Sequence, residues 1–340
     1  MTVAEAIRDG EAALAADGVP SPRLDSEVLL ALVIGARRDL LPARFRDPVA
    51  SGDLDRFHEL LDRRGGGKVP LQYLTGVQEF YSLEFLIRPG ALIPRPETEL
   101  LVDEMIAFAR EREGEGQPVR AAADVGTGSG CIAVAAAVSV PGLRVLALDV
   151  SPDAVRIATE NADRHGVLGG PAGKKPPGGA GDAPGHRDPP LEGVSSVPTC
   201  GVTDRGVVAV VLADLLAPLR AGSVDAVLSN PPYVASRELE GLQEEVRVHE
   251  PRVALVSGVT GLEIYERLIP QAARVLRPGG LLALELAAGR HGPVQAMLEG
   301  GPWTSIAFRE DFQGFPRVIV ARKEKVTPSR PAGLELSSRR

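Results

Sequence analysis

The fold is decided by residues 121–134, which read Ala-Ala-Ala-Asp-Val-Gly-Thr-Gly-Ser-Gly-Cys-Ile-Ala-Val. A short apolar strand leads into three glycines at alternate positions, and an apolar helix follows. Glycine permits positive φ and a close approach of the backbone to a ligand, while the first turn of a helix offers free N–H groups. The spacing Gly-x-Gly-x-Gly differs from the dinucleotide fingerprint Gly-x-Gly-x-x-Gly, so on its own it indicates only a nucleotide-like ligand.

Two acidic residues follow the next predicted strands. The strand at 144–148 ends at Asp149, which is expected to accept the ribose hydroxyls of an adenosyl ligand; alternatively, it caps the following helix. The strand at 207–213 ends at Asp214, whose carboxylate is expected to accept the adenine amino group, with Leu215 against the ring. Alternatively, this is an ordinary loop acid. The glycine loop and the acid of the second strand together favour an adenosyl ligand.

The motif Ser-Asn-Pro-Pro-Tyr, residues 229–233, follows a further buried strand at 226–228. The prolines stop that strand because neither donates to a ladder, and ligands bind at the carboxyl ends of strands in open α/β sheets. We expect the Asn230 side-chain oxygen and the Pro231 carbonyl to accept both hydrogens of a planar NH2 group held for methylation. Tyr233 offers a flat face to that group. The alternative is a rigid strand-to-loop turn.

The remaining pattern of the second half alternates strands with helices. A helix at 262–275 precedes a fifth strand at 281–286, and the segments 305–308 and 317–321 are typical of a closing antiparallel hairpin. This order predicts an α/β fold with a Rossmann-like, doubly wound sheet. The sheet is expected to be parallel except for one antiparallel strand near the carboxyl terminus.

The first 85 residues predict a separate, small α-helical domain. Apolar residues recur at helical spacing over 3–16, 23–35 and 54–64, as in a bundle of four helices. We expect residues 1–85 to bind a partner; the alternative is a packing module without one. The end of this region, residues 70–87, is expected to form a short hairpin.

Residues 86–119 are expected to link the two domains. They contain the segment Pro-Arg-Pro-Glu-Thr-Glu, residues 94–99, and a helix to about Arg112. A proline just inside a helix start with acids in the first turn is a plain start signal. The prolines also place Arg95 on a rigid corner, where it either contacts a substrate or only belongs to that helix start.

The second domain is expected to span residues 120–322. Its composition changes between 168 and 205, where glycine and proline dominate and apolar periodicity is lost. Too little apolar surface is available there to offset the entropy of ordering, so we expect a disordered insertion. Residues 323–340 are expected to form a flexible tail.

Composition excludes several classes of protein. The 340-residue chain is 44% hydrophobic and 24% charged, with a net charge of −7, so affinity from phosphate neutralisation and direct nucleic-acid binding are not expected. Cys131 and Cys200 form no metal or disulfide pattern, the amino-terminal residues contain no apolar core of a signal peptide, and no later apolar stretch approaches the length of a membrane span. We expect a cytoplasmic monomer with no bound metal and no membrane partner.

The motifs together resemble the class I methyltransferases that use S-adenosylmethionine. More narrowly, residues 70–76 and 92–99 resemble the protein-(glutamine-N5) methyltransferases of peptide chain release factors, the PrmC/HemK family. The resemblance implies S-adenosylmethionine as cofactor and the glutamine of a Gly-Gly-Gln loop in class 1 release factors as substrate. The expected cofactor-binding residues are Gly126, Thr127, Gly128, Ser129, Gly130, Asp149, Asp214, Leu215 and Asn230. The expected substrate-binding residues are Asn230, Pro231, Pro232, Tyr233 and Arg95, of which Asn230, Pro231 and Tyr233 are also the expected catalytic residues.

Three alternatives remain at this point. The same chemistry on a glutamine of a ribosomal protein differs only in the surfaces that hold the partner. An amino-group methyltransferase of nucleic acid shares the Asn-Pro-Pro-Tyr motif but needs a basic cleft, which the acidic composition disfavours. A binding module of translation without enzymatic activity leaves Asn230 unexplained.

Overall fold

Helices form the amino-terminal part of the protein in this computed structural model, which describes residues 1–169, 205–287 and 289–325. Gly10 lies on the first helix and lets two others approach it closely. A Cβ at Gly10 would lie 2.6 Å from the Ser26 hydroxyl oxygen and 2.7 Å from the Phe57 ring. The region has its own apolar core, which confirms the predicted helical domain. Its elements are α1 (Val3–Ala16), α2 (Pro22–Val33), a 3-10 helix (Arg38–Arg44), α3 (Ser51–Arg64) and α4 (Leu71–Thr75).

A two-stranded hairpin follows, formed by β1 (Val77–Phe80) and β2 (Leu83–Leu86). The predicted hairpin at 70–87 is therefore shorter, because α4 occupies its first residues and ends at Gly76 in a left-handed cap. Phe80 and Phe85 are buried in the core of the larger domain rather than in the helical bundle. By this packing, the hairpin belongs to the core of the larger domain, although the predicted helical domain extends to residue 85.

The rest of the chain alternates helices and strands. A 3-10 helix at Pro96–Thr98 leads into the first long helix of this part. The elements in chain order are α5 (Glu99–Gly114), β3 (Ala121–Val125), α6 (Cys131–Ser139), β4 (Arg144–Asp149), α7 (Pro152–Arg164), β5 (Val207–Leu212), β6 (Val224–Ser229), β7 (Val234–Ala235), a 3-10 helix (Ser236–Gly241), α8 (Glu244–His249), α9 (Arg252–Leu255), β8 (Val256–Gly258), α10 (Glu263–Val275), β9 (Leu276–Glu285), α11 (His291–Glu299), β10 (Trp303–Glu310) and β11 (Pro316–Lys323).

A seven-stranded sheet in the order β10-β11-β9-β6-β3-β4-β5 organises these elements. The strands from β9 to β5 run parallel, and β11 pairs antiparallel with both of its neighbours. This confirms the predicted Rossmann-like sheet with one antiparallel strand. The chain leaves β3 toward β4 on one side and returns through β6 on the other, so the carboxyl end of β3 is the switch point where such sheets bind ligands.

Both faces of the sheet are covered, which explains the continuous apolar strands. Ala122 and Leu228 belong to the core on one face, whereas Ala123 and Val227 belong to the core on the other. Side chains alternate across a strand, so a strand buried on both faces is apolar at every position. The two cores therefore hold the ends of β3 and β6 rigidly beside each other.

The start of β9 and the end of β11 differ from the prediction. β9 begins at Leu276 rather than 281, because the Pro-Gly-Gly stretch at 278–280 lies inside the strand as an irregularity in its pairing with β6. A proline within a strand is tolerated at such a bulge. β11 includes Lys323, the first residue of the predicted flexible tail, and residues 326–340 of that tail lie outside the described residues.

The predicted insertion at 168–205 is described only at its two ends. The Gly169 amide donates to the Val208 carbonyl at 2.8 Å, and Arg205 donates to the His165 carbonyl at 3.0 Å. These bonds bring the two ends of the segment together beside β5. The predicted disorder of residues 170–204 lies outside the described residues.

Candidate active site

The glycine loop follows β3 directly and is held by backbone hydrogen bonds. The amides of Gly126 and Thr127 both donate to the Leu148 carbonyl, at 2.8 and 3.0 Å. Gly126 and Gly128 have φ values of +69° and +56°, which only glycine adopts readily, so these two positions require glycine. The loop therefore presents a fixed backbone surface at the carboxyl edge of the sheet.

Gly130 has a different role from its two neighbours. It has φ +82°, and a Cβ there would lie 3.0 Å from the Cβ of Ala158 on α7. The glycine thus permits the close contact between the start of α6 and α7. It does not line the cavity described next, although its neighbours Ser129 and Cys131 do.

A cavity of about 420 Å³ opens at the carboxyl ends of β3, β4, β5 and β6. It brings together every other predicted cofactor residue, although these come from four separate stretches of the chain. The predicted cofactor-binding residues that line it are Gly126, Thr127, Gly128, Ser129, Asp149, Asp214, Leu215 and Asn230. Pro231 and Pro232, which were predicted to bind substrate, also line it.

Asp149 is fixed at the end of β4 by two backbone amides. One carboxylate oxygen accepts from Gly128 and the other from Ser151, both at 2.9 Å. Burial raises the pKa of this carboxyl, and the two hydrogen bonds oppose that rise. The cap of α7 is Ser151, whose hydroxyl accepts from Ala154, so the alternative role of Asp149 as the cap is not needed. The carboxylate lines the cavity and ties the glycine loop to β4.

Asp214 stands at the mouth of the cavity, and its side chain is 58% exposed. Its carboxylate pairs with the Arg267 guanidinium at 2.5 Å. An exposed ion pair of this kind contributes only about 0–1 kcal/mol, so Arg267 holds the carboxylate weakly. Leu215, beside it, has φ +51°, a left-handed conformation that turns the chain at the cavity wall.

Asn230 has one satisfied and one unsatisfied side-chain group. Its Nδ2 donates to the Thr98 hydroxyl oxygen at 3.2 Å, and that hydroxyl donates to the Glu285 carboxylate at 2.7 Å. Its Oδ1 is buried and has no hydrogen-bond partner among the residues that the structure describes. A buried acceptor without a partner costs about 1–3 kcal/mol. The end of β6 thus holds a preformed acceptor for an N–H that none of the described residues supplies.

A second cavity, of about 460 Å³, lies on the other side of Asn230. Tyr233 and Arg95 line this cavity, and Asn230, Leu92 and Ala254 line both. Burial raises the pKa of Tyr233 to about 12, so its ring is neutral and serves as an apolar wall. The Asn-Pro-Pro-Tyr motif therefore stands at the junction of two cavities, with its prolines toward the first and its tyrosine toward the second.

Arg95 forms an ion pair with Glu250, which the sequence pattern did not identify as a site residue. Its guanidinium pairs at 2.5 Å with the carboxylate of Glu250, whose side chain is only 1% exposed. Burial raises the pKa of Glu250, while Arg95 and the Ile93 amide oppose that rise. This ion pair thus holds the segment 94–99 in place at one wall of the second cavity. No local pattern could have paired these two residues, which are 155 positions apart.

Thr98 and Glu285 were also missed as site residues. Thr98 was part of the quoted 94–99 segment, and Glu285 is the acid at the carboxyl end of a buried strand, which was the available signal. Both are almost fully buried, and burial raises the pKa of Glu285 to about 7.

In the part of the chain that the structure describes, no group of histidine, cysteine and acidic residues could hold a metal ion. No helix among the described residues has the length and apolarity to cross a membrane.

Two protein-family models match the sequence. The model for the PrmC N-terminal domain matches residues 5–76, which end where packing ends the helical bundle. The model for ribosomal protein L11 methyltransferase (PrmA) matches residues 108–169, which contain the glycine loop and Asp149.

Curated relatives cover nearly the whole chain. A release factor glutamine methyltransferase from Moorella thermoacetica is 36% identical over 96% of this chain and 100% of its own length. Another from Koribacter versatilis is 34% identical over 95% of this chain and 99% of its own. Among solved structures, the release factor-specific protein-(glutamine-N5) methyltransferase from Alicyclobacillus acidocaldarius is 25% identical, with a TM-score of 0.34, and the match covers 71% of this chain and 99% of that one.

Proposed function

The chain belongs to the release factor glutamine methyltransferases, and from that premise we propose the reaction and the residues that perform it. The protein transfers a methyl group from S-adenosylmethionine to the side-chain amide nitrogen (N5) of the glutamine in the Gly-Gly-Gln loop of peptide chain release factors. The observation that carries this proposal is the buried, unpartnered Oδ1 of Asn230 at the junction of two cavities. It suits a substrate that presents N–H groups.

The first cavity fits S-adenosylmethionine by the chemistry of its walls. The glycine loop offers backbone without side chains, and the buried Ser129 hydroxyl oxygen lacks a partner there. Asp149 offers carboxylate oxygens to ribose hydroxyls, and Asp214 and Leu215 offer an acceptor and an apolar face to adenine. When bound, S-adenosylmethionine supplies an electrophilic methyl group on a sulfonium.

The motif at 230–233 addresses the weak nucleophilicity of an amide. The lone pair of an amide nitrogen is delocalised into its carbonyl, so much of the available catalysis is orientation. Asn230 Oδ1 and the Pro231 carbonyl accept the two amide hydrogens and aim the nitrogen toward the first cavity. As positive charge develops on nitrogen, these fixed acceptors bind more strongly than in the ground state. Tyr233 packs its ring against the planar amide.

The helical domain, residues 1–76, is placed to hold the protein partner. Arg64, at the end of α3, pairs with the buried Asp25 in its own domain at 2.7 Å and with Glu245 on α8 at 2.5 Å. Glu245 and Gln72 both line the second cavity, so the helical domain contributes to its rim. A release factor bound there presents its loop to Asn230. We further propose that the protein acts as a monomer in the cytoplasm.

The test measures methyl transfer from radiolabelled S-adenosylmethionine to four purified acceptors. These are a class 1 release factor, its Gly-Gly-Gln to Gly-Gly-Ala variant, a ribosomal protein and duplex DNA. We expect label on the first acceptor alone. Label that persists on the alanine variant, or label found only on the ribosomal protein or DNA, would contradict the proposed substrate.

A further inference from the structure

Three elements that are distant in sequence meet in one series of hydrogen bonds at the wall of the first cavity, which Thr98 and Asn230 line. Thr98 precedes α5, Glu285 ends β9 and Asn230 follows β6. The Thr98 hydroxyl oxygen lies 2.7 Å from a Glu285 carboxylate oxygen and 3.2 Å from Asn230 Nδ2. Thr98 is 2% exposed and Glu285 4% exposed, so water does not compete for these contacts.

The number of available protons determines which group donates in each of these hydrogen bonds. A hydroxyl has one proton, and an ionised carboxylate only accepts hydrogen bonds. Thr98 therefore donates to Glu285 and has only lone pairs left for Asn230. Asn230 must then present its NH2 group to Thr98, which directs Oδ1 to the cavity junction, where no described residue is its hydrogen-bond partner.

We propose that Thr98 and Glu285 are positioning residues that select the amide orientation in which Asn230 turns its acceptor oxygen toward the substrate. This inference rests on the proposed function, since the orientation matters only if the substrate presents N–H groups. In the reversed orientation, the NH2 of Asn230 faces the NH2 of the glutamine and no hydrogen bond forms. Neither Thr98 nor Glu285 is required to touch the reacting atoms.

The charges around Glu285 are consistent with an accepting carboxylate. Arg95 and Arg317 favour its ionised form, whereas Glu97 and burial oppose it. With a pKa of about 7, this carboxyl is mainly ionised at pH 8.

The test compares two substitutions of Thr98. Thr98→Val removes the hydroxyl at nearly constant volume, and Thr98→Ser retains it. Leaving the buried Asn230 NH2 without a partner in the productive orientation corresponds to a loss of about tenfold to a hundredfold in kcat. We expect that loss in Thr98→Val, recovery to within a few-fold of wild type in Thr98→Ser, and a Kd for S-adenosylmethionine within about twofold by calorimetry.

The matched control is Thr159→Val on α7, whose hydroxyl bonds only to the Val155 carbonyl and which does not line either cavity. It is expected to keep wild-type kcat. Wild-type turnover in Thr98→Val, or equal loss of kcat in Thr98→Val and Thr98→Ser, would overturn the inference.

A second readout separates this inference from the proposed function. The side-chain NH2 resonances of Asn230, assigned by their disappearance in Asn230→Asp, are measured by NMR without any substrate. They are expected to shift in Thr98→Val and to stay in place in Thr159→Val. Resonances unchanged in Thr98→Val would refute the positioning role. Absence of methyl transfer by the wild-type protein would instead refute the proposed function alone.

Discussion

Replacing Glu285 by glutamine tests whether the site maintains a buried charge at a cost in stability. Burial raises the pKa of Glu285 from 4.5 to about 7. Each pKa unit corresponds to about 1.4 kcal/mol, so the ionised carboxylate lowers the free energy of unfolding by about 3 kcal/mol at pH 8. Glutamine has nearly the same shape and carries no charge. We therefore expect Glu285→Gln to unfold at higher denaturant concentration than wild type at pH 8.

The sign of the pH dependence follows from proton binding. A carboxyl whose pKa is higher in the folded protein holds more protons there than in the unfolded chain between pH 4.5 and about 7. The contribution of Glu285 to the free energy of unfolding thus falls as pH rises through this window. The difference between wild type and variant is expected to be small near pH 4.5 and largest above pH 7.

The kcat of the wild-type protein is expected to rise with pH, whereas the contribution of Glu285 to the free energy of unfolding falls. A protonated Glu285, or a glutamine at this position, can donate to Thr98 as well as accept from it. The Thr98 hydroxyl is then free to donate to Asn230, so the orientation of the Asn230 amide is no longer determined. Wild-type kcat should rise with pH through about 7, whereas Glu285→Gln should be slow and nearly independent of pH between 6 and 8. The titratable groups facing Glu285 are Glu97, Arg95, Arg317, Tyr233, Tyr265 and Cys131.

Chemical denaturation at pH 5 and pH 8 and single-turnover kinetics between pH 6 and 8 provide the measurements. Glu104→Gln is the control, because Glu104 pairs with Arg309 outside both cavities. It should keep the pH dependence of kcat. A Glu285→Gln variant that is less stable than wild type at pH 8, or that retains the rise of kcat through pH 7, would refute the reasoning.

Three further substitutions test separate parts of the molecule. Asn230→Ala removes the preformed acceptor, so we expect S-adenosylmethionine to bind nearly as in wild type by calorimetry while most turnover is lost; loss of cofactor binding would count against the assigned role. Gly130→Ala places a Cβ 3.0 Å from Ala158 at φ +82°, so it should destabilise the fold by about 1–3 kcal/mol in urea unfolding without a direct loss of cofactor affinity. Arg64→Ala leaves the buried Asp25 without its cation and should cost about 3–5 kcal/mol by the same assay, whereas a change under 1 kcal/mol would argue against the pair.

The helical front domain, the doubly wound sheet and the cavity could be predicted because their signals are local. Strand, glycine loop and helix follow one another within residues 121–134, and parallel strands bring Asp149, Asp214 and Asn230 to one edge of the sheet. The differences from the prediction arise from tertiary packing, which a local pattern does not show. Sequence order does not show which core Phe80 joins, so the predicted helical domain includes the hairpin after Gly76. A bulge is not visible in a pattern, so the predicted fifth strand begins at 281 although β9 begins at Leu276.

The amino-acid sequence by itself determined which side chains stand at the ends of the strands, and therefore the chemistry available to this protein. Only the tertiary structure decided how those side chains are held. The bonds of Thr98 to Asn230 and to Glu285 span 132 and 187 residues, and the bond of Arg95 to Glu250 spans 155. A hydrogen bond depends on the distance and direction between two groups in space, which packing sets and sequence spacing does not. The quoted glycine loop thus identified the cavity, and the fold supplied the oriented acceptor beside it.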